Sequence, residues 1–340
     1  MTEGEALKRI PRRALMLALA GLAAAGVATG VALARSTPAP IGSGVVVIET
    51  NLAYQNGAAA GTGIVLTPNG EVLTNNHVIR GATTIKIIVP GTQHRYTARV
   101  VGYDVADDVA VLQATGVSNL KTAALDTSTA PSIGQAVTAL GNAGGTGSLT
   151  SARGRITGVG RSIAVDDDQG GVERLTGLIE MNAALRPGDS GGPLLTRSGK
   201  VIGMDTAAST GSGFGLDAAT SNDGYAIPIG KAIKIAKQID AGASSATVHI
   251  GATAFLGVEV ESTDGHAVIA AVVPGGPADS AGLAPGDVIT AVGGRSVSSP
   301  TALTNVLFSK KPGDRITITY AYGYGMTQTT TVTLGSGPPQ

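Results

Sequence analysis

The chain contains no cysteine. Disulfides, thiolate metal sites and a cysteine nucleophile are excluded together. Charge is scarce: 14% of residues are charged, and 24 basic side chains balance 24 acidic ones. Aromatic residues make up only 3%. A neutral chain with so few rings lacks the basic footprint of a nucleic-acid binder. The 50 glycines among 340 residues follow no G-X-Y period, which excludes collagen. Hydrophobic residues reach 43%, enough to fill a core, and this disfavours disorder. Abundant glycine with few charges and many Val, Ile and Thr predicts short strands joined by tight turns.

The N-terminus reads as an address. Lys8, Arg9, Arg12 and Arg13 precede an uncharged run of 21 residues, Ala14–Ala34. As a helix this run would be roughly 31 Å long, about one bilayer core. It exceeds the usual apolar region of a signal peptide, yet Ala32-Leu33-Ala34 suits a signal peptidase. Residues 1–35 are therefore a signal peptide or a transmembrane anchor, and the two readings stay open. Basic residues before the span keep that end inside, so residues 36 onward work outside the cytoplasm. Membrane contact is expected through this segment alone. An exported chain without cysteine relies on packing for its stability.

Residues 36–43 form a Pro/Gly/Ser linker. From Gly44 to about Ile229 the chain reads as strands, including Val45–Ile48, Gly63–Leu66, Thr84–Val89, Val109–Leu112, Ala136–Leu140 and Val201–Asp205. Thr84-Ile85-Lys86-Ile87 alternates as a half-buried strand should, and Pro68-Asn69-Gly70 predicts a hairpin. Such a pattern implies a β-sandwich or barrel. Lys231–Ala241 reads as a helix with Gly242 at its C-terminal cap. The expected units are 44–241, a small-residue linker over 242–252, a second domain over 253–335 and a loose tail over 336–340.

Three residues carry the chemistry. His77 lies in TNNHVI, Asp108 in DDVAVL and Ser190 in RPGDSGGP, spaced by 31 and 82 residues. A serine hydroxyl is a poor nucleophile until an imidazole takes its proton. The imidazole needs a carboxylate on its other nitrogen to fix the tautomer and stabilise the imidazolium. Each candidate stands at the edge of an apolar strand, so the strands can bring all three together. Around Ser190, the amides of Gly188 and Ser190, with Asp189 between them, can converge as an oxyanion hole.

GDSGGP after a His-before-Asp order resembles the chymotrypsin clan of serine proteases. The cysteine-free TNNHVI and DVAVL stretches and a following second domain resemble its HtrA-like branch. This resemblance covers residue 44 to the end. It implies a mainly β fold: a trypsin-like double six-stranded β-barrel followed by a PDZ domain. It implies a catalytic triad of His77, Asp108 and Ser190, Asp108 being the residue directly before Val-Ala-Val-Leu, with Asp104 and Asp107 solvated or structural. It places the primary substrate pocket at Ala184 and Leu185 and at Thr206, Ala207 and Ala208. No acidic residue stands at the pocket-base position near Ala184, so a small or medium apolar side chain is expected there rather than Lys or Arg.

Phe255-Leu256-Gly257-Val258 resembles the carboxylate-binding loop of an HtrA-type PDZ domain. Leu303 and Leu307 supply the apolar face of a helix that Ser299 and Pro300 begin. Strand addition there would take peptides with hydrophobic C-termini. The implied activity is an exported endopeptidase cleaving unfolded or damaged proteins, with no cofactor, no metal and no nucleic-acid partner. A chaperone or scaffold that hardly cuts is the rival reading. Relatives trimerise through aromatic residues near the start of the protease domain, where only Tyr54 is found, so a homo-oligomer stays open. Asp166-Asp167-Asp168 matches no EF-hand spacing and reads as a solvated loop. His94, His249 and His266 read as surface or structural.

Overall fold

The computed structural model describes residues 42–166, 172–208, 223–323 and 325–340. The N-terminal apolar run, and Asp167 and Asp168, lie outside the described residues. Among the described residues no helix is long and apolar enough to cross a membrane.

The chain first builds β1 (Val45–Leu52), β2 (Gly57–Val65), β3 (Glu71–Thr74), a short helix α1 (Asn76–Ile79), β4 (Thr84–Val89), β5 (His94–Asp104) and β6 (Val109–Ala114). The strands pair antiparallel in the order β5-β4-β1-β2-β3-β6, and β5 also pairs with β6, which closes a barrel. The Pro68-Asn69-Gly70 turn joins β2 to β3, with Ile64 opposite Leu73. Gly70 is required there: its φ is +89° and a Cβ would lie 2.3 Å from Val117. Along β4, Ile85 and Ile87 are buried while Thr84 and Lys86 face out, so the period of two seen in the sequence is the period of burial.

A second closed barrel follows from β7 (Ala136–Gly141), β8 (Thr150–Asp166), β9 (Val172–Met181), β10 (Pro193–Thr196), β11 (Val201–Ala208) and β12 (Gly224–Pro228). Helix α2 (Ile229–Asp240) buries Ile229, Ala232, Ile235, Ala236 and Ile239. These join Val109 and Val111 of the first barrel and Leu178 and Met204 of the second in one core. Each large aliphatic side chain so buried contributes ~1.5–3 kcal/mol. Gly242 ends the helix with φ +67°, its amide bonding the Ile239 carbonyl at 2.9 Å.

The stretch expected to be a linker, 242–252, holds a strand. β13 (Val248–Ile250) pairs antiparallel with β5, Val248 opposite Asp104, and adds a seventh strand to the first barrel's sheet. Three residues between small, glycine-flanked segments show no period, so burial of Val248 is what identifies them.

The last domain comprises β14 (Thr253–Phe255), β15 (Val258–Thr263), β16 (His266–Val272), α3 (Pro277–Ser280), β17 (Val288–Val292), β18 (Arg295–Ser296), α4 (Pro300–Phe308), β19 (Arg315–Tyr322), β20 (Met326–Thr333) and β21 (Gly335–Gly337). Its sheet runs β15-β16-β17-β19-β20, so β15 is an edge strand. Ser299 Oγ accepts the Ala302 amide at 3.1 Å and Pro300 opens α4, as the sequence predicts. The tail differs from its expectation of looseness. β21 pairs with β14, the Gly81 amide donates to the Pro339 carbonyl at 2.9 Å, Asn76 Nδ2 donates to Gln340 O at 3.0 Å, and the Gln340 amide donates to the Tyr103 hydroxyl at 3.2 Å. Phe308 packs edge-on against Tyr103 and His249, and Phe255 stacks on Tyr54 with ring centres 5.1 Å apart. These contacts fasten the last domain to the first barrel.

Candidate active site

Helix α1 follows directly on β3 and carries His77 on its exposed side, with 38% of the side chain open to solvent. Asp108 stands at the entry to β6 and is buried. Its φ of +52° is left-handed, a conformation costing ~1–2 kcal/mol that Asp tolerates better than most residues. That backbone turn aims the carboxylate at α1. Asp108 Oδ2 lies 2.9 Å from His77 Nδ1, and Oδ1 accepts the His77 amide at 2.9 Å. Thr206 Oγ1 donates to Oδ2 at 2.5 Å, and Asn75 Nδ2 donates to the Asp108 carbonyl at 2.9 Å. Burial by itself would raise the pKa of this carboxyl. The His77 ring, the Thr206 hydroxyl and the His77 amide outweigh it and hold Asp108 below the usual carboxylate range.

The two neighbouring aspartates do other work. Asp104 Oδ1 accepts the amides of Ala106 at 2.9 Å and Asp107 at 3.2 Å, closing the turn that leads into Asp108. Asp107 pairs with Lys231 Nζ at 2.6 Å.

Ser190 lies in the loop between β9 and β10. Its Oγ donates to the Thr206 carbonyl at 3.4 Å, and its own carbonyl accepts the Thr62 amide at 2.8 Å. Thr206 therefore touches Ser190 through its carbonyl and Asp108 through its hydroxyl. The three residues singled out in the sequence meet around this threonine, across the two barrels. The Thr206 hydroxyl was not foreseen as an acid partner. It sits 98 residues from Asp108, and no local pattern announces the pairing.

The loop before Ser190 is tightly determined. Gly188 has φ +98°, and a Cβ there would come within 2.1 Å of the Asn142 carbonyl, so no other residue fits. Thr62 Oγ1 donates to the Gly188 carbonyl at 2.7 Å and accepts the Asn142 amide at 2.9 Å. The Gly144 amide donates to the Pro187 carbonyl at 2.7 Å. Asp189 turns its side chain back, Oδ2 accepting the Arg186 amide at 2.9 Å. Among the described residues the amides of Gly188 and Ser190 donate to no acceptor. Gly141–Gly145, read from sequence as a cleft turn, packs against this loop.

Of the pocket candidates, Ala184 is exposed and Leu185 is half-buried against Gly224, where a Cβ would stand 2.8 Å from Leu185. Ala207 and Ala208 continue β11 beyond Thr206, opposite Tyr225 and Gly224. In the last domain, Gly257 takes φ +81° and Leu256 is buried. The carbonyls of Leu256 and Gly257 accept the amides of Ala278 and Val273, each at 2.9 Å. Among the described residues the amides of Leu256 and Gly257 have no acceptor, and Val258 opens the edge strand β15. Leu303 and Leu307 are core residues, 2% and 6% exposed.

Comparison with known proteins gives the same division. Residues 61–204 match a trypsin-like peptidase domain and residues 254–334 match a PDZ domain. The chain is 33% identical to the serine protease PepD of Mycobacterium tuberculosis, over 81% of this chain and 60% of that protein. It is 32% identical to the chloroplastic protease Do-like 1 of Arabidopsis thaliana, over 80% of this chain and 65% of that protein. The chain thus spans about three fifths of the length of these relatives. Among solved structures, the HtrA-type protease AlgW with tripeptide is 28% identical, covers 88% of this chain and 95% of its own, and superposes with a TM-score of 0.50. A trypsin-like peptidase domain ahead of a PDZ domain, in a chain similar to named serine proteases and to an HtrA-type protease structure, makes this an HtrA-like arrangement.

Proposed function

We propose that the chain is an extracytoplasmic serine endopeptidase. The observation that carries this is the His77–Asp108 contact at 2.9 Å, joined through Thr206 to the Ser190 hydroxyl. Asp108 holds the imidazole by Nδ1, so Nε2 is the nitrogen that exchanges protons. The Ser190 hydroxyl leaves its long contact with Thr206 O, passes its proton to Nε2, and Oγ bonds to the substrate carbonyl carbon. The oxyanion that forms is taken by the Gly188 and Ser190 amides. When the C–N bond breaks, His77 returns the proton to the leaving amine. Water then attacks the acyl-enzyme, His77 accepts its proton, and Ser190 is regenerated.

Substrate selection follows from the walls. Leu185 and Ala184 give an apolar primary pocket for a small or medium side chain, and the backbone of Thr206–Ala208 pairs with an extended substrate. The exposed backbone of β15 and the amides of Leu256 and Gly257 take the C-terminus of a peptide by strand addition. Unfolded or damaged chains are the substrate class. The Ala14–Ala34 run behind its basic flank carries the protein out of the cytoplasm, consistent with a 34% identical relative in Chlamydia muridarum that is named a periplasmic endoprotease. A serine-directed phosphonate should label the full chain, and the full chain should digest casein. Ser190→Ala should lose both while its circular dichroism is unchanged. Labelling that persists in Ser190→Ala overturns the nucleophile, and casein held soluble but uncut favours a chaperone.

A further inference from the structure

Beneath the Ser190 loop lie two buried carboxyl groups that the peptidase mechanism does not use. Asp205, in the middle of β11, is fully buried, and neither of its carboxyl oxygens has a hydrogen-bond partner among the described residues. Asp189 is buried as well: Oδ2 accepts the Arg186 amide, while Oδ1 has no partner. A Cβ on Gly141 would stand 2.6 Å from that same oxygen, so the cleft turn presses directly on it. The Asn142 side-chain nitrogen, next along this turn, is another buried and unpartnered polar atom.

Asp205 is also woven into the catalytic loop by its backbone. Its amide donates to the Gly192 carbonyl and its carbonyl accepts the Gly191 amide, both at 2.8 Å. These are the two residues after Ser190. The residue after Asp205 is Thr206, which touches both Ser190 and Asp108. A change of state at Asp205 therefore reaches Ser190 from two sides.

The surroundings decide which carboxyl is charged. Two buried like charges cannot both be ionised without a large penalty. Burial raises the pKa of Asp189 too, but the Arg186 amide and, nearby, its guanidinium work against that rise. Asp205 has neither. On β12 its partner is Ala226, β10 offers only Pro193–Thr196, and α2 contributes Lys231, Lys234 and Lys237, of which Lys231 is engaged with Asp107 and the Thr176 carbonyl. Burial, then the facing Asp189, push Asp205 well above the ordinary carboxylate range.

We propose that Asp205 is a positioning residue kept as a neutral carboxylic acid beside Asp189, the more readily ionised of the two, and that losing its proton loosens the Ser190 loop and sets an upper pH limit on the nucleophile. This rests on the peptidase reading for its effect on Ser190, but not for its effect on folding. In the unfolded chain Asp205 ionises near the ordinary carboxylate value, about 3.9. In the folded chain it holds its proton to higher pH. The unfolded state then binds fewer protons, so stability falls as pH rises from the ordinary carboxylate value through the folded one.

The test compares the full wild-type chain with Asp205→Asn, which keeps shape and a donor but cannot ionise, and with Asp189→Asn, which removes the facing charge. Urea midpoints and phosphonate labelling rates of Ser190 are measured across pH 5–10. The wild type should lose urea resistance with rising pH, and its labelling rate should fall on an alkaline limb by about tenfold per pH unit. Asp205→Asn should abolish that limb and flatten the urea profile. Asp189→Asn should move the limb to lower pH, and it serves as the readout if Asp205→Asn does not fold. An unchanged limb and urea slope in Asp205→Asn, or an unmoved limb in Asp189→Asn, overturns the proposal. If no variant is labelled, the peptidase reading fails, and the urea profiles alone decide the state of Asp205.

Discussion

Asp104, Asp107 and Asp108 carry the same side chain and do different work because the backbone aims each one differently. Asp104 closes a turn on two amides, Asp107 reaches a lysine at the surface, and only Asp108, in left-handed backbone, meets His77. Asp108→Asn should lower kcat by about 10⁴, because an amide favours the wrong imidazole tautomer. Asp104→Asn should leave kcat within a few-fold, since an amide oxygen still accepts the turn amides. Steady-state kinetics on a peptide substrate checks both, and near-normal turnover in Asp108→Asn would move the acid elsewhere. At this scale the sequence was legible where a role is announced by its immediate neighbours, as in TNNHVI, DDVAVL and GDSGGP. It was silent on Thr206 as a partner of Asp108 and on Asp205 as a buried carboxyl. Both roles arise from pairings of β11 that no short window contains.

Elements were legible where burial has a period. The alternation in β4 and the apolar positions of α2 are the residues the fold buries. They failed to show where an element is only three residues long, as in β13 and β21. Capping was readable because it is local: Ser299 accepts the Ala302 amide at the start of α4. Ser299→Ala should destabilise the PDZ domain by ~1 kcal/mol. Its urea midpoint, followed by hydrogen exchange in α4, should drop while exchange in the two barrels is unchanged. Equal protection of α4 in both proteins would show that the cap contributes nothing.

At the scale of the whole molecule, the PDZ domain is held to the first barrel by rings and by the tail. Tyr54 with Phe255, Phe308 with Tyr103 and His249, and the hydrogen bonds of Pro339 and Gln340 all cross from one to the other. Calorimetry on the full chain should give a single transition. The double variant Tyr54→Ala, Phe308→Ala should split it in two, because stacked pairs of this kind contribute ~0.5–1.5 kcal/mol each beyond their buried area. A single transition in the variant would place the coupling in the tail instead.

Thr62 belongs to the first barrel, yet its hydroxyl grips the Gly188 carbonyl and the Asn142 amide of the second, and its amide holds the Ser190 carbonyl. The two barrels are thereby riveted together at the nucleophile's own loop, so neither can shift without dragging that loop along.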